Sequence, residues 1–522
     1  MEEKILVRPN TYYDSVTLMS ASQKVGRMEG IDAALLGMGT QLNLELLGAL
    51  GFDGGAEAGP NDLILAVRGV SPEAMERALA EAERILTRRA EQGSPRRAGL
   101  KSLAQAARLG AGNLALISVP GAYAVREARQ ALEHNLHVML FSDNVSLQDE
   151  VELKELAHAK GLLLMGPDCG TAIINGVPLA FANAVRRGSI GIVGASGTGI
   201  QEVSVQIHRQ GGGISQAIGT GGRDLSLPAG GRMVLDGIEA LRQDPATQVI
   251  VVISKPAPPE IRAKVLTALE QCGKPAVYCV LGGEAGSGPA VKQAGTLLET
   301  ASLAVEAAGY PVPALEWVGD ALAIEAAGRL TGGQRYVRGL FGGGTLADEA
   351  MLLLRRKLGR VYSNSPLSSG EELADLGRSF RHTVLDLGDD RFTVGRPHPM
   401  IDYTLRLARL EQEAQDPEVA VILFDVVLGW GSHPDPAAEL EPVLRRVRQS
   451  ALVSGRDISL AAYLCGTERD PQGYQKQKDT LEGAGVKVFG SNAAAAEFAA
   501  RVAQSVEGGQ SSGNYGAVQP EA

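Results

Sequence analysis

IGIVGASGTGIQEV, residues 190–203, is the stretch from which the chain can be read. Ile190, Ile192 and Val193, broken by Gly191, form the end of a buried strand. Gly194 to Gly199 make a turn of small residues, and Ile200-Gln201-Glu202-Val203 opens a helix. A strand that feeds such a turn and then a helix aims free backbone N–H groups and the positive end of the helix dipole at one point. The signal returns further on. Ser196-Gly197-Thr198 with Glu202 recurs as Gly343-Gly344-Thr345 with Glu349. GGRMVLDGIEAL (230–241) is matched by GRPHPMIDYTLRL (395–407), QDPATQVIVVI (243–253) by QDPEVAVILFD (415–425), and PAVYCVLGG (275–283) by LAAYLCGT (460–467). The order is kept while the spacing lengthens, so two related α/β domains follow one another.

Upstream, KILVR (4–8), IDAALLG (31–37) and DLILAVR (62–68) read as strands, with amphipathic helical stretches between and after them. Ser71-Pro72-Glu73 is a cap with proline at the first helical position. The polar run EQGSPRRAG (91–99) reads as a linker. From Leu114 a new series alternates strands and helices through HVMLFSD (137–143) and LLLMGPDCGT (162–171), which predicts a parallel, doubly wound sheet. Ligands of such sheets sit beyond the carboxyl ends of the strands, where Val119-Pro120-Gly121 and Gly166-Pro167-Asp168-Cys169 fall.

A chain of 522 residues is too long for one hydrophobic core. Its formal net charge of −10 argues against a nucleic-acid or anionic-membrane partner. The acidic start MEEKILVRPN carries no signal-peptide apolar run, and the four cysteines show no CxxC or zinc spacing, so a reducing, cytoplasmic location is expected.

SVPGAYAVREA (118–128), MGPDCGT (165–171) and GIVGASGTGIQEV (191–203) resemble the CoA-binding and ligase regions of the α chain of nucleoside-diphosphate-forming acyl-CoA synthetases, the succinyl-CoA synthetase group. The second copy resembles the partner chain's ligase domain, here fused. YYDSVTLMS (12–20), MGTQLN (38–43), GRPHPMID (395–402), DVVLGWGSHPDP (425–436) and CGTERDPQ (465–472) resemble the FdrA family over nearly the whole chain. That family is described as acyl-CoA-synthetase-like and is associated with oxamate carbamoyltransferase, which splits oxalurate with phosphate into oxamate and carbamoyl phosphate in allantoin breakdown. The resemblance implies several Rossmann-like and flavodoxin-like α/β domains with doubly wound parallel sheets, the last two an internal repeat, behind a small N-terminal α/β domain. The expected boundaries are 1–98 for the N-terminal domain and linker, 99–188 for a CoA-binding-like domain, 189–330 and 331–505 for the two ligase-like domains, and 506–522 for a disordered tail.

In the synthetases two such helices hold the phosphate of a phosphohistidine between their N-termini, which implies that Ser196, Gly197 and Thr198 face Gly343, Gly344 and Thr345 across one phosphoryl group. Three departures matter. GGEAGSG (282–288) stands where the synthetases carry the phosphorylated histidine and contains none. Lys255 replaces the glutamate that contacts it, and the Gly-rich loop of the first CoA-binding strand has no counterpart before residue 110. A phosphohistidine needs a nucleophilic imidazole and a carboxylate to orient it. Exchanging both for an ammonium makes a positive pocket suited to phosphate or carbamoyl phosphate. From the residues alone Lys255 reads as a solvated lysine at a strand end; the resemblance brings the two readings level. Asp425, His433, Arg396 and His398 fall at predicted carboxyl ends of strands in the second copy, where a histidine–carboxylate pair would move protons on an amide nitrogen, or else cap turns.

The resemblance favours a subunit of a carbamoyltransferase complex with a companion carbamoyltransferase-like subunit and a functional link to carbamate kinase, in a hetero-oligomer. An acid–thiol ligase that binds CoA is the alternative, and a non-catalytic scaffold subunit the second. Phosphate or carbamoyl phosphate is expected as substrate, and no metal is implied by ligand spacing.

Overall fold

The computed structural model describes the chain apart from residues 1, 12, 14, 27, 53–57, 60, 93–101, 255–256, 283–285, 289, 313–318, 394–396 and 513–522. It divides into two compact units, Met1–Ala106 with Thr393–Pro397, and Ala107–Phe392 with His398–Ala522.

The first unit runs β1 (Glu2–Arg8), α1 (Ser15–Gly26), β2 (Ile31–Met38), α2 (Gln41–Ala49), β3 (Leu63–Gly69) and α3 (Pro72–Gln92). Its strands form an antiparallel sheet in the order β1-β3-β2. Side chains alternate across β3: Leu63, Leu65 and Val67 pack with Leu18, Ala78 and Leu86 on one face, while Ile64 and Ala66 meet Leu47 and Phe52 on the other. α3 starts at Pro72, as the cap predicts, and runs into the segment read as a linker. The rest of that segment lies outside the described residues.

After α4 (Leu103–Arg108), the second unit opens with β4 (Leu114–Ile117), α5 (Gly121–Glu133), β5 (His137–Leu140), α6 (Leu147–Ala159) and β6 (Leu164–Met165), a small parallel sheet in the order β4-β5-β6. The hairpin β7 (Thr171–Ile174) and β8 (Val177–Ala180) then joins the next sheet, not this one. The boundary expected at 188 therefore falls inside β9.

The first copy of the repeat is β9 (Arg187–Gly194), α7 (Gly197–Arg209), β10 (Ile214–Gly219), α8 (Arg232–Gln243), β11 (Val249–Ser254), α9 (Pro259–Gln271), β12 (Ala276–Val280), β13 (Gly286–Ser287), β14 (Val291–Ala294) and α10 (Leu297–Ala307), followed by α11 (Asp320–Ala327). The second is β15 (Tyr336–Phe341), α12 (Gly344–Leu358), β16 (Tyr362–Ser363), β17 (Thr383–Asp386), α13 (Asp390–Thr393), α14 (Thr404–Gln415), β18 (Val419–Val427), α15 (Pro436–Val453), β19 (Ser459–Cys465), α16 (Tyr474–Gly483), β20 (Val486–Phe489) and α17 (Asn492–Ser512). The sheets run β13-β14-β12-β11-β9-β10-β7-β8 and β16-β17-β15-β18-β19-β20. Apart from the hairpin and β13, their strands are parallel. The parallel strands of the first sheet have the flavodoxin-type order, and so do those of the second apart from the two-residue edge strand β16, with the switch point between β9 and β11 in one copy and β15 and β18 in the other. β11 and β18 are buried on both faces, which their unbroken apolar runs require.

One core serves both copies. Ile200, Val203 and Ile207 of α7 pack in it with Leu346 and Leu354 of α12 and Phe498 of α17. β14 extends the first sheet beyond β12, in parallel register with it. α17 continues to Ser512, so a helix occupies the start of the segment expected to be disordered; residues 513–522 lie outside the described residues. Among the described residues no helix is long and apolar enough to cross a membrane.

Candidate functional site: the seam between two helix tips

The two small-residue turns end in helices that meet tip to tip. Ser196 caps α7, its Oγ accepting from Gly199 N at 2.9 Å, and the same Oγ lies 2.5 Å from Thr345 Oγ1 at the start of α12. A Cβ on Gly343 would stand 2.8 Å from Thr198 Cγ2 and 3.0 Å from Thr198 Oγ1, so glycine is what lets the tips touch. All six residues expected at a phosphoryl clamp are thus brought together, but as a closed seam and not across a gap. The backbone N–H groups of Gly197, Thr198, Gly344, Thr345 and Leu346 meet no protein acceptor among the described residues. Gly197 and Gly344, half-buried, are where solvent reaches them. Helix tips leave such donors free by construction, and two tips double the positive field.

Asp425 does not end its strand: β18 runs on to Val427 and the carboxylate is fully buried. Oδ1 and Oδ2 accept from Gly342 N and Gly343 N, each at 2.8 Å, and Arg406 pairs with Oδ1 at 2.9 Å. Its role is to hold the turn that carries the α12 tip. His433 is likewise built in. Its N–H donates to the Met400 carbonyl at 2.8 Å, its Nδ1 accepts from Asp435 N at 3.1 Å, and its ring meets Tyr403 edge-on.

His398 is different. A Cβ on Gly388 would lie 2.8 Å from His398 Nε2, 2.8 Å from the Gly342 carbonyl and 3.2 Å from Asp386 Oδ1, and one on Gly344 would lie 2.6 Å from Asp386 Oδ2. His398 and Asp386 therefore line the α12 side of the seam. Met400 N donates to His398 Nδ1 at 3.2 Å, which leaves the proton on Nε2. Burial, and then the Arg406 guanidinium, hold this imidazole down at about 4, so it is neutral at pH 7. Asp386 was missed in the sequence. The signal was there in TVLDLGDD (383–390), an acid at the end of an apolar strand. Lys255 and Arg396 lie outside the described residues.

The CGTERD turn after β19 works as a staple. Asp470 accepts from Ala184 N at 2.7 Å and Asn183 Nδ2 at 2.9 Å, Thr467 Oγ1 donates to the Ala184 carbonyl, and Trp430 bridges Ala182. The Phe141, Phe181 and His398 rings stack in sequence, 5.5 and 5.6 Å apart, which brings the small parallel sheet, the hairpin strand and the seam to one place. A groove of about 700 Å³ runs along α5 and the start of α6, lined among others by Gly121, Arg126, Arg129, Glu133, Ser146 and Asp149.

Two flavodoxin-type copies are joined at their first helix tips, and family models of CoA-ligase and CoA-binding domains match them. A CoA-ligase model matches residues 340–502, and a CoA binding domain model matches residues 185–282, which takes in most of the first copy and only the last four residues of 99–188. A model described as AllF, heavy metal-associated domain, matches residues 1–101. The chain belongs to the family of the uncharacterized protein YahF of Escherichia coli, with which it is 47% identical over 501 residues, 94% of this chain and 97% of that protein. It is 29% identical over 210 residues to the α subunit of the ADP-forming succinate–CoA ligase of Methanothermobacter thermautotrophicus, 38% of this chain and 70% of that one. Among solved structures, the dinucleotide-forming acetyl-coenzyme A synthetase 1 of Ca. Korarchaeum cryptofilum aligns at 16% identity over 77% of this chain and 85% of its own, with a TM-score of 0.28.

The metal named for the N-terminal domain does not fit these residues. The first histidine is His134 and the first cysteine Cys169, so residues 1–101 hold neither thiolate nor imidazole for a soft metal ion. The loop after β1 is instead tied by Asp62, which accepts from Asn10 N at 2.9 Å.

Proposed function

We propose that this chain is an FdrA-type subunit of a carbamoyl-transferring complex, in which phosphate takes the carbamoyl group of oxalurate to give carbamoyl phosphate and oxamate. The observation that carries the reading is the seam itself: N–H donors of two helix tips on one spot, with no histidine in residues 282–288 to relay a phosphoryl group. Phosphate sits over Gly197 and Gly344, and the N–H groups with Thr198 and Thr345 hold its charge. A phosphate oxygen attacks the carbamoyl carbon, the bond from that carbon to the oxamate nitrogen breaks, and the proton of HPO₄²⁻ passes to the leaving nitrogen. His398, kept neutral, donates a hydrogen bond from Nε2 to the carbonyl where charge builds, and Asp386 accepts from the amide N–H groups of the ureido substrate. A companion carbamoyltransferase-like subunit completes the site, and a carbamate kinase consumes the product.

The test incubates the full chain, alone and with its companion subunit, with oxalurate and labelled phosphate. Labelled carbamoyl phosphate is expected. The CoA-ligase and CoA binding domain matches favour the rival, an acid–thiol ligase. A phosphoenzyme formed from ATP or GTP with succinate and CoA, and no carbamoyl phosphate, would establish the rival in its place.

A further inference from the structure

Glu202 and Glu349 occupy equivalent places in the two copies, one turn beyond Thr198 and Thr345, and both are buried to within 1% exposure. Each reaches across to the other copy. Glu202 Oε1 accepts from the N–H of Asn492, the first residue of α17, at 3.4 Å, and Glu349 Oε1 accepts from the N–H of Leu297, the first residue of α10, at 2.7 Å. Each closing helix keeps a cap of its own, Thr296 Oγ1 accepting from Glu299 N and Ser491 Oγ from Ala494 N, while its first N–H is taken by the glutamate of the other copy. Asn492 spans the pair, since its Nδ2 donates to Glu349 Oε2 at 2.8 Å. Gln206 Nε2, at 3.3 Å, and the Tyr463 hydroxyl also donate to Glu202.

No ion pair to either carboxylate occurs among the described residues. Arg209 of α7 is the cation that bears on Glu202, but its guanidinium is bonded to the Gly490, Leu464 and Gly466 carbonyls and lies over Tyr474. The other titratable groups facing the pair are Cys465 and Tyr463 on β19 and Cys279 on β12, with Glu299 of α10 bearing on Cys279. Burial raises both thiols far enough to keep them neutral. Two facing carboxylates out of water cannot both ionise cheaply. One further atom points the same way. Asn492 Oδ1 is buried and meets no donor among the described residues.

We propose that Glu202 and Glu349 hold one proton between them at neutral pH and form a proton-linked latch between the two copies, the proton supplying the donor that Asn492 Oδ1 lacks. Loss of the proton sets two buried negative charges against each other and loosens the bonds that each glutamate makes to the other copy's helix start. The latch is independent of which reaction the seam serves. Burial, and then the facing Glu349, lift the Glu202 carboxyl to about 8, and burial lifts Glu349 as well. The unfolded chain releases these protons near 4.5, so the folded state binds the extra proton. That stability is complete below 4.5 and is lost as pH rises through about 8.

The experiment uses the full chain, wild type, Glu202→Gln and Glu349→Gln. Unfolding midpoints and hydrogen-exchange protection factors at Leu297 and Asn492 are read on both sides of pH 8. In the wild type both are expected to fall with rising pH, and Glu202→Gln flattens the fall because its amide is neutral throughout. Infrared difference spectra of the wild type should show the carbonyl stretch of a buried carboxylic acid at neutral pH, vanishing above about 8 and absent from Glu202→Gln. A wild type without that band, or an alkaline slope equal in all three proteins, overturns the proposal. Should the variants fail to fold, the wild-type band alone decides it.

Discussion

Asp425 sits inside β18, with its charge turned toward the turn before α12, and this makes its replacement informative. Asp425→Asn keeps the size but leaves the Arg406 guanidinium buried without its counter-charge and one loop N–H without an acceptor. Breaking a buried ion pair from one side costs about 3–5 kcal/mol. We expect a loss of that order in denaturant unfolding, with any loss of phosphate binding following from the displaced α12 tip. His398 makes a prediction in pH. Its imidazole is held at about 4 when folded, against 6.5 when free, so the unfolded chain binds the extra proton between these values. The stability it contributes is present above 6.5 and lost as pH falls toward 4. His382, held down to about 4 by burial and Arg338, adds a slope of the same sign. Unfolding midpoints of His398→Gln should therefore show a shallower acid slope than wild type, with the His382 share remaining. An unchanged slope would mean that the ring is solvated.

At the scale of elements, the contact of α7 and α12 rests on a missing side chain. Gly343→Ala puts a methyl group 2.8 Å from Thr198 Cγ2, and overpacking of this kind costs about 1–3 kcal/mol. Thr198→Ser removes the opposing methyl but keeps the Cβ and Oγ at 3.0 Å, so the double variant should recover part of that loss. A double-mutant cycle read by unfolding checks it, and additive effects would show that the tips do not touch. The strands, the turns and the pairing of the two copies were legible in the sequence because period and repeat are local signals. β7 and β8 were not assigned to their sheet, since a hairpin of four-residue strands carries no mark of the sheet it joins. The candidate site was legible in part for the same reason. Ser196 to Thr198 and Gly343 to Thr345 come from the repeat, and His398 from a motif. Asp425 and His433 read as chemistry because an acid or histidine near a strand end looks alike whether it faces a ligand or a turn. Only the hydrogen-bond partners separate the two. The acidic pair Glu202 and Glu349 was visible as part of the repeat, but its crossing to the other copy's helices depends on packing alone.

At the scale of the whole molecule, the two units have cores of their own. Leu18, Leu65 and Leu86 with Leu47 and Phe52 fill the first, and the shared core of α7, α12 and α17 fills the second. Separate cores predict separate unfolding, so a single two-state fit should fail for the full chain. Residues 93–101 read GSPRRAGLK, a small and polar composition of the kind proteases favour. Limited proteolysis there should release the first unit and leave the unfolding midpoint of the second where it was. The released unit offers no thiolate or imidazole, so titration of it with copper(I) or zinc should show no tight site. One concerted transition, or a second unit that unfolds once the first is cut away, would mean that the cores depend on each other. A stoichiometric soft-metal complex of the fragment would require ligands other than cysteine and histidine, and would reinstate the metal role that its residues argue against.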